Sequence, residues 1–311
     1  MFKHLNLKAF GLIMTLALAL VLSACSQDDS SAQTEGTSIG EKEIDIPYIA
    51  TDNSAARSLV MAEVLKKAGY DVTTTPVTAS GPMYASVSED ENAFHASGIF
   101  PSTDKAYYNQ FKDDLTLYDQ HHLIENVQVG LAVPKYVSDI DSIADLKEDN
   151  DFGKAVNHEI EGTDKRNGVM KETKNTIGED DLKDYKLNSS SDQDQFKAIQ
   201  QAHQQQKPIL FTAMKPHWLH EETDYKMLKD PDKIYGDTNQ HIDLVFNQNF
   251  KDRHPAAYTI TTRMADDWSQ SDEKDLAKKI FVDRKNPEQV AKDYVDDHDH
   301  KVDEWLKDIE S

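Results

Sequence analysis

Histidines and carboxylates at short spacing are the side chains of this sequence with the most evident chemistry. His217 and His220 are followed by Glu221 and Glu222, and a second cluster of aspartates and histidines fills residues 296–300. Imidazole nitrogens and carboxylate oxygens are ligands for zinc and manganese, so either cluster suits a metal ion. The second cluster lies on a polar helical face, where charged groups are usually solvated. A metal site is one hypothesis for these clusters, and hydrated surface is the other.

Enzyme chemistry has little support in the sequence. There is no His-Glu-x-x-His segment and no glycine-rich phosphate loop, so a zinc peptidase site and a nucleotide site are not indicated. Aspartate and glutamate are so abundant that pairs of carboxylates arise by chance. His121 and His122 are adjacent and are interpreted as a loop pair. We therefore predict that the protein is not an enzyme and needs no cofactor.

Composition excludes several partners. The 311 residues include 34 basic and 56 acidic side chains, which gives a formal net charge of −22. Binding to nucleic acid requires clustered lysine and arginine, and so does a polybasic hold on anionic lipid. One cysteine excludes an internal disulfide framework. At this length, two lobes with separate cores are expected.

The N-terminus predicts export. Lys3 and Lys8 flank the start of an uncharged apolar run, Phe10–Leu22, in the layout of a signal peptide. The run ends in Leu22-Ser23-Ala24-Cys25, which resembles the bacterial lipobox. That resemblance implies a signal peptide over residues 1–24, lipidation of Cys25 and a lipid anchor on the extracytoplasmic face of the cell membrane. A plain secretory signal is the alternative. Polar residues 25–43 are predicted to form a flexible tether.

Strands and helices alternate from Ile44 onward, which favours an α/β fold with mostly parallel sheets. The apolar patterns predict strands at residues 44–50, 70–77, 93–100, 127–133, 153–157 and 208–212. Helical spacings fall at residues 53–68, 105–111, 142–147, 168–177 and 196–203. Roughly the last 40 residues are predicted to form two closing amphipathic helices.

Six short segments carry a resemblance to a known family. They lie at residues 47–52, 68–73, 81–84, 130–134, 211–218 and 253–258, and together they resemble the glycine betaine-binding lipoproteins of osmoprotectant ABC importers. The resemblance implies a type II periplasmic-binding-protein fold with a ligand cleft between two lobes. Crossing strands would lie near 133–134 and 237–246. One lobe would comprise residues 44–133 plus 240–311, and the other residues 134–239.

The resemblance also implies a ligand site in which this sequence departs from its relatives. Such proteins hold a quaternary ammonium group between three tryptophan faces by cation–π attraction. A histidine and two backbone amides bind the ligand carboxylate in these proteins. The tryptophan positions fall at Thr51, Ile99 and Met214, the histidine position at Asp104, and the amide pair at Gly168 and Val169. All three aromatic faces are therefore replaced, and an imidazole has become a carboxylate.

Two readings of the changed site stay open. Neighbouring aromatics, including Tyr84 and Trp218, could rebuild the cage, and His217 joins Tyr84 among the candidate ligand-binding residues. Alternatively, the ligand is a different cationic or amine-bearing solute that pairs with Asp104. Asp104 could instead cap the helix that begins near Lys105.

The expected function is delivery of a small solute to the permease and ATPase subunits of an ABC importer. The solute would be a compatible solute of the glycine betaine or choline type, or a related amine. The alternative function is that of a zinc or manganese importer receptor. No residue is assigned as a metal ligand under the first reading.

Overall fold

The computed structural model describes residues 36–148, 150–178, 182–236 and 239–310. The predicted signal peptide (residues 1–24), Cys25 and most of the predicted tether lie outside the described residues. Within these ranges, no helix has both the length and the apolar character that a membrane crossing requires.

The chain contacts the body well before the predicted start at Ile44. Thr37 forms a parallel bridge with Ile309, and the backbone N–H of Glu41 donates to the carbonyl of Arg253 at 2.9 Å. The segment 36–40 has the spacing Gly-x-Ser-x-Gly. It precedes the first strand and forms no strand-to-helix turn, so it is not the nucleophile elbow of a hydrolase.

Residues 43–134 form the first run of elements. The strands are β1 (Glu43–Ile49), β2 (Asp71–Val77), β3 (Phe94–Phe100), β4 (Leu115–Tyr118) and β5 (Ile124–Pro134). The helices are α1 (Ser54–Lys67), α2 (Ser80–Glu89) and α3 (Lys105–Phe111). Gly69 ends the α1 region with a φ of +99°, a conformation that glycine adopts without steric cost.

The middle of the chain contains short strands and helices. The strands are β6 (Glu159–Gly162), β7 (Lys186–Ser189), β8 (Phe211–Lys215) and β9 (Tyr225–Met227). The helices are α4 (Ile143–Glu148), α5 (Asn150–Ala155), α6 (Gly168–Gly178), α7 (Asp192–Gln205) and α8 (Leu219–Thr223). The side chain of Ser191 starts α7 by accepting from the backbone N–H of Asp194, as expected of an N-cap serine.

The C-terminal part begins with one strand and continues as helices. Strand β10 (Gln240–Asn247) is followed by α9 (Phe250–Arg253), α10 (Pro255–Asp267), α11 (Gln270–Ala277), a π-helical turn (Lys278–Val282), α12 (Pro287–Asp297) and α13 (Asp299–Trp305). The prediction of two closing helices was therefore too simple. Capping by Ser269 and Asn286 starts separate helices within the apolar pattern.

The predicted strand at residues 153–157 is wrong. Residues up to Ala155 are helical in α5, and the strand follows as β6. Phe152 and Val156 are both buried, and a spacing of four residues places both on one helical face. Asn157 and His158 then take positive φ values, which end the helix before β6.

Sheet topology also differs from the prediction. Strands β1 and β2 form a parallel pair, and the larger sheet has the order β3-β10-β5-β8-β6-β7, with β4 on β10 and β9 on β5. Strand β5 is antiparallel to β10, β8 and β9, and β10 is antiparallel to β3 and β4. Among the ten strands named above, the parallel pairs are β1 with β2, β6 with β7 and β6 with β8. The expectation of mostly parallel sheets was wrong, because β5 and β10 make antiparallel pairs with each other and with all of their other partners.

Buried apolar residues form two groups of clusters. One group combines residues from before Val129 with residues after Ile242. The other is drawn from residues 131–235. Strand β5 passes from the first group to the second, because Val127 packs in the first core and Leu131 in the second.

Candidate functional site

A cavity of about 110 Å³ lies where the two groups of clusters meet. The first group contributes the end of β1, β3 and β10. The second contributes the beginnings of α6 and α7 together with β8. The cavity wall includes Asp52, Arg57, Ser97, Ile99, Gly168, Val169, Asp192, Phe196, Met214, His217, Tyr225 and Ile242. A concave, mostly apolar site with a few polar groups is the usual form of a small-molecule site.

Five of the eight predicted ligand-site residues lie on this wall, although they are far apart in the chain. They are Ile99, Gly168, Val169, Met214 and His217. Thr51, Tyr84 and Asp104 are not on the wall. Ile99 and Met214 are half-buried and lie on β3 and β8. They present an apolar surface where the family resemblance predicts tryptophan.

Thr51 forms hydrogen bonds with two residues beside the cavity. Its hydroxyl donates a short hydrogen bond to Oδ2 of Asp192. Its carbonyl accepts from Nε1 of Trp218 at 2.8 Å. Thr51 therefore positions the Asp192 carboxylate and the Trp218 ring.

Asp52 is a wall residue that sequence reasoning missed. It lies three residues after the end of β1, and its Oδ1 accepts from the backbone N–H of Ser54 at 2.7 Å. Burial raises the pKa of Asp52 to about 6, although the nearby Arg57 guanidinium and the Ser54 hydrogen bonds oppose this shift. The signal was available, because Asp52 adjoins the predicted position Thr51.

Asp192, also missed, is the first residue of α7. Burial raises the pKa of this carboxyl, and the hydrogen bond from Thr51 opposes the shift. The negative charge of Asp192 also contributes to the raised pKa of Asp52. The sequence offered no signal for Asp192, since it comes from a different core and a polar segment.

Arg57 offsets the acidic wall only in part. Its guanidinium is buried and pairs with Glu273 at 2.8 Å, while Nε donates to the carbonyl of Ala96 at 2.5 Å. The Arg57 charge is therefore matched by Glu273. Of the four charged side chains Asp52, Asp192, Arg57 and Glu273, the two aspartates remain as the net charge, which favours a cation.

Gly168 and Val169 begin α6, so their backbone N–H groups precede the first intrahelical hydrogen bond. The turn before them is held by Asn167, whose Oδ1 accepts from the N–H of Ser80 at 3.1 Å. A Cβ at position 168 would lie 2.5 Å from the carbonyl oxygen of Thr103. Glycine is therefore needed there for close approach of α6 to the first core.

Asp104 is another residue of the predicted ligand site. Its side chain is fully buried, is not on the cavity wall, and forms no capping hydrogen bond to α3. Instead, Oδ2 accepts from the backbone N–H of Ile99 at 3.0 Å. Burial raises the pKa of Asp104 to about 7, and burial also raises that of the nearby Glu172 to about 8.

The neighbouring aromatics do not rebuild a cage. Tyr84 is fully buried in a separate cluster, where its ring lies 6.1 Å from that of Tyr107. Trp218 stacks on Phe281 at 5.1 Å. The aromatic residues on the described cavity wall are Phe196 and Tyr225, and the Tyr225 hydroxyl donates to the carbonyl of Met214 at 2.9 Å.

His217 is a wall residue without the features of a metal ligand. Its Nδ1 accepts from the backbone N–H of Leu219 at 3.1 Å, and burial lowers its pKa to about 4. In the described part of the chain, neither His217 nor the 296–300 cluster belongs to a convergent group of three metal-binding side chains.

Two cores that are joined by β5, with a cavity where they meet, are the architecture of a solute-binding protein. The comparisons with known proteins agree. The family described as the substrate binding domain of ABC-type glycine betaine transport system matches residues 42–297. The chain belongs to this family.

Individual relatives support the assignment. The glycine betaine/carnitine transport binding protein GbuC of Listeria monocytogenes is 29% identical over 162 residues, which are 51% of this chain and 53% of that protein. The chain thus spans about half the length of this curated relative. The structure of lactococcal OpuAC in its closed form with glycine betaine matches with a TM-score of 0.76 and 28% identity. The match covers 86% of this chain and 100% of that one.

A third comparison supports the fold. The glycine betaine, L-proline-binding protein ProX of Borrelia burgdorferi has a TM-score of 0.78 at 24% identity, covering 86% of this chain and 97% of that one. The predicted type II periplasmic-binding-protein fold is confirmed. The prediction that the chain is not an enzyme is also confirmed, because these relatives are transport binding proteins. The zinc or manganese importer receptor is not supported, since the family is one of glycine betaine transport. Substrate-binding proteins of ABC importers are extracytoplasmic.

Proposed function

We propose that this protein is the solute receptor of an ABC importer and that its solute is a small ammonium compound. The solute would belong to the glycine betaine and choline class or be a related amine, in keeping with what the relatives named above bind. The paired carboxylates of Asp52 and Asp192 on the cavity wall carry this proposal.

The acidic wall favours an ammonium group that carries N–H donors. A quaternary ammonium has no donor and depends on aromatic faces, and the three family positions for tryptophan are Thr51, Ile99 and Met214. An N–H group can donate directly to a carboxylate in a charge-assisted hydrogen bond. We therefore infer that partly methylated amines bind more tightly than their fully methylated counterparts.

A second polar group of the solute would lie near the start of α6. Gly168 and Val169 line the same cavity, and free N–H groups at the start of a helix would suit a carboxylate or hydroxyl oxygen. A solute with an ammonium at one end and an oxygen at the other would span the two cores. Its binding would then favour closure of one core on the other.

The remaining parts of the mechanism follow from this role. We propose lobes of residues 44–133 plus 240–311 and of residues 134–239, with hinge bending at β5 and β10. The closed form would dock on the permease, which works with its ATPase subunits. Lipidation of Cys25 would hold the receptor on the outer face of the cell membrane.

Calorimetric titration of the full chain tests the proposal. The solutes are glycine betaine, choline, carnitine and proline betaine, with dimethylglycine and dimethylethanolamine as the less methylated partners of the first two. We expect heat from this series, and tighter binding of the less methylated member in each pair. Absence of heat with all six would refute the ammonium class.

A matched variant isolates the wall carboxylates. Asp52→Asn removes one wall charge, while Asp113→Asn removes a charge from an exposed aspartate after α3. We expect the first change to weaken binding and the second to leave it unchanged. Equal affinities for the two variants would place the ammonium group elsewhere.

A further inference from the structure

Two histidines and an aspartate converge beside β10. His241 and Asp243 are two residues apart on this strand, so their side chains leave the same face. His122 is the residue before Leu123, whose backbone N–H donates to the carbonyl of Ile242 at 2.8 Å. Pairing of β5 with β10 therefore brings three side chains together from two distant segments.

The Asp243 carboxylate contacts both imidazoles. Its Oδ1 is 2.6 Å from Nδ1 of His122, and its Oδ2 is 3.2 Å from Nε2 of His241. The two rings stack with centroids 3.6 Å apart. One ligand atom from each residue lies within 4.8 Å of the others. Asp243 is fully buried, whereas the side chains of His122 and His241 are 24% and 22% exposed, so an ion can reach them from solvent.

We infer that His122, His241 and Asp243 bind a divalent first-row transition-metal ion, with zinc the best match. Two imidazoles and one carboxylate form a common zinc ligand set, and solvent would supply the fourth ligand. Metal–ligand distances near 2.1 Å place tetrahedral ligand atoms about 3.4 Å apart. The carboxylate-to-imidazole separations of 2.6 and 3.2 Å are shorter than that value, so side-chain rotations that move the ligand atoms apart by less than about 1 Å would make room for the ion.

The surrounding charges favour a cation. The charged groups that act on Asp243 are His122, Asp119 and Glu125, and the same two carboxylates act on His241. An ion at this position would therefore be bound by three residues and further attracted by two nearby acidic side chains.

This site is separate from the solute cavity. Ile242 lies between the two strand ligands, and its side chain lines the cavity, so the metal ligands leave the opposite face of β10. The same strand is tied to the cavity wall by Gln240, whose Oε1 accepts from the N–H of Thr103 at 2.9 Å. The ion would thus fix a strand of the cavity, and it is not the transported solute.

Zinc chloride titration of the full chain, after removal of metals with a chelator, tests the inference. We expect one equivalent to bind. The double change His122→Ala and His241→Ala should weaken binding by more than about 100-fold, since even outer-sphere partners account for 10- to 100-fold. Cobalt(II) should give the visible absorption of a tetrahedral site in the wild type alone.

Three controls make the result decisive. His121→Ala removes the exposed neighbouring histidine and should leave zinc affinity unchanged. Thermal unfolding in chelator shows whether the double variant is folded, which we expect because both histidines are partly exposed. Should the double variant be unfolded, the single variants His122→Ala and His241→Ala decide in its place. A wild type that binds no zinc at micromolar concentration overturns the inference. So does a folded variant, double or single, that retains affinity within about tenfold.

Discussion

Two groups of buried or half-buried carboxylates in this protein have raised pKa values and different surroundings. Asp52 and Asp192 lie on the cavity wall, whereas Asp104 and Glu172 lie behind it, beside the start of α6. Burial raises the pKa of all four. A raised pKa therefore does not identify a ligand-binding residue. What distinguishes the groups is whether a solute can reach the carboxylate.

The largest expected effect comes from removing the wall charges. Asp52→Asn combined with Asp192→Asn should weaken binding of an ammonium solute by about 2–5 kcal/mol, the range for truncation of one partner in a buried charge pair. Calorimetric titration with the tightest-binding solute measures this loss. Asp113→Asn serves as the exposed control. A loss below about 1 kcal/mol would mean that the carboxylates do not contact the solute.

A smaller effect is expected from Gly168→Ala. The added Cβ would meet the Thr103 carbonyl at 2.5 Å and Oδ1 of Asp104 at 2.8 Å, so α6 must shift away from the first core. Overpacking of this kind costs about 1–3 kcal/mol, and we expect losses in both solute affinity and free energy of unfolding.

Gly178→Ala is the matched control in the same helix, because a Cβ there has no neighbour within 4 Å among the described residues. We expect affinity equal to wild type for this variant. Denaturant unfolding and titration of both variants provide the comparison. Equal behaviour of the two alanine variants would show that close approach at Gly168 is unimportant.

Solute affinity should depend on pH through the wall carboxylates. Protonation of Asp52, whose pKa is about 6 without solute, removes the charge that pairs with the ammonium group. Affinity should therefore fall by up to about tenfold per pH unit as pH drops below 6. Titrations between pH 5 and pH 8 measure this profile. Asp52→Asn should flatten it, and an unchanged profile in that variant would assign the titration to another group.

The smallest effect on affinity is expected from the carboxylates behind the wall. Asp104→Asn should change solute affinity by less than about 0.5 kcal/mol, because Asp104 is fully buried and off the cavity wall. A large loss of affinity would return Asp104 to the ligand site and contradict the comparison made above.

Asp104 and Glu172 should instead control stability. Their folded-state pKa values, about 7 and about 8, exceed the ordinary carboxyl values, so the folded chain holds protons that the unfolded chain releases. The free energy of unfolding should therefore fall as pH rises from about 6.5 to 8.5, by up to about 1.4 kcal/mol per pH unit for each group. Burial lowers the pKa values of His95 and His217. These two residues therefore oppose the trend only at pH values below the pKa of histidine in the unfolded chain.

Denaturant unfolding across that pH range checks the stability effect. Glu172→Gln should flatten the upper part of the slope and Asp104→Asn the lower part. A slope that is unchanged in both variants would assign the lost protons to other residues.

The sequence by itself determined the family and the scaffold of this protein. Local features were sufficient for α1, α3 and α6, whose apolar spacing and boundaries are encoded in contiguous residues. Five predicted site residues reached the cavity because strand ends and helix starts have fixed places in this fold.

Tertiary structure decided what the sequence left open. Asp192 reaches the wall from the second core through its hydrogen bond to Thr51, and the sequence separation of these residues hides that pairing. Asp104 accepts from the N–H of Ile99, in the turn after β3 that the start of α6 approaches closely at Gly168. The antiparallel pairing of β5 with β10 likewise joins His122 to Asp243. Non-local contacts of this kind depend on how the cores pack, which no local pattern of residues records.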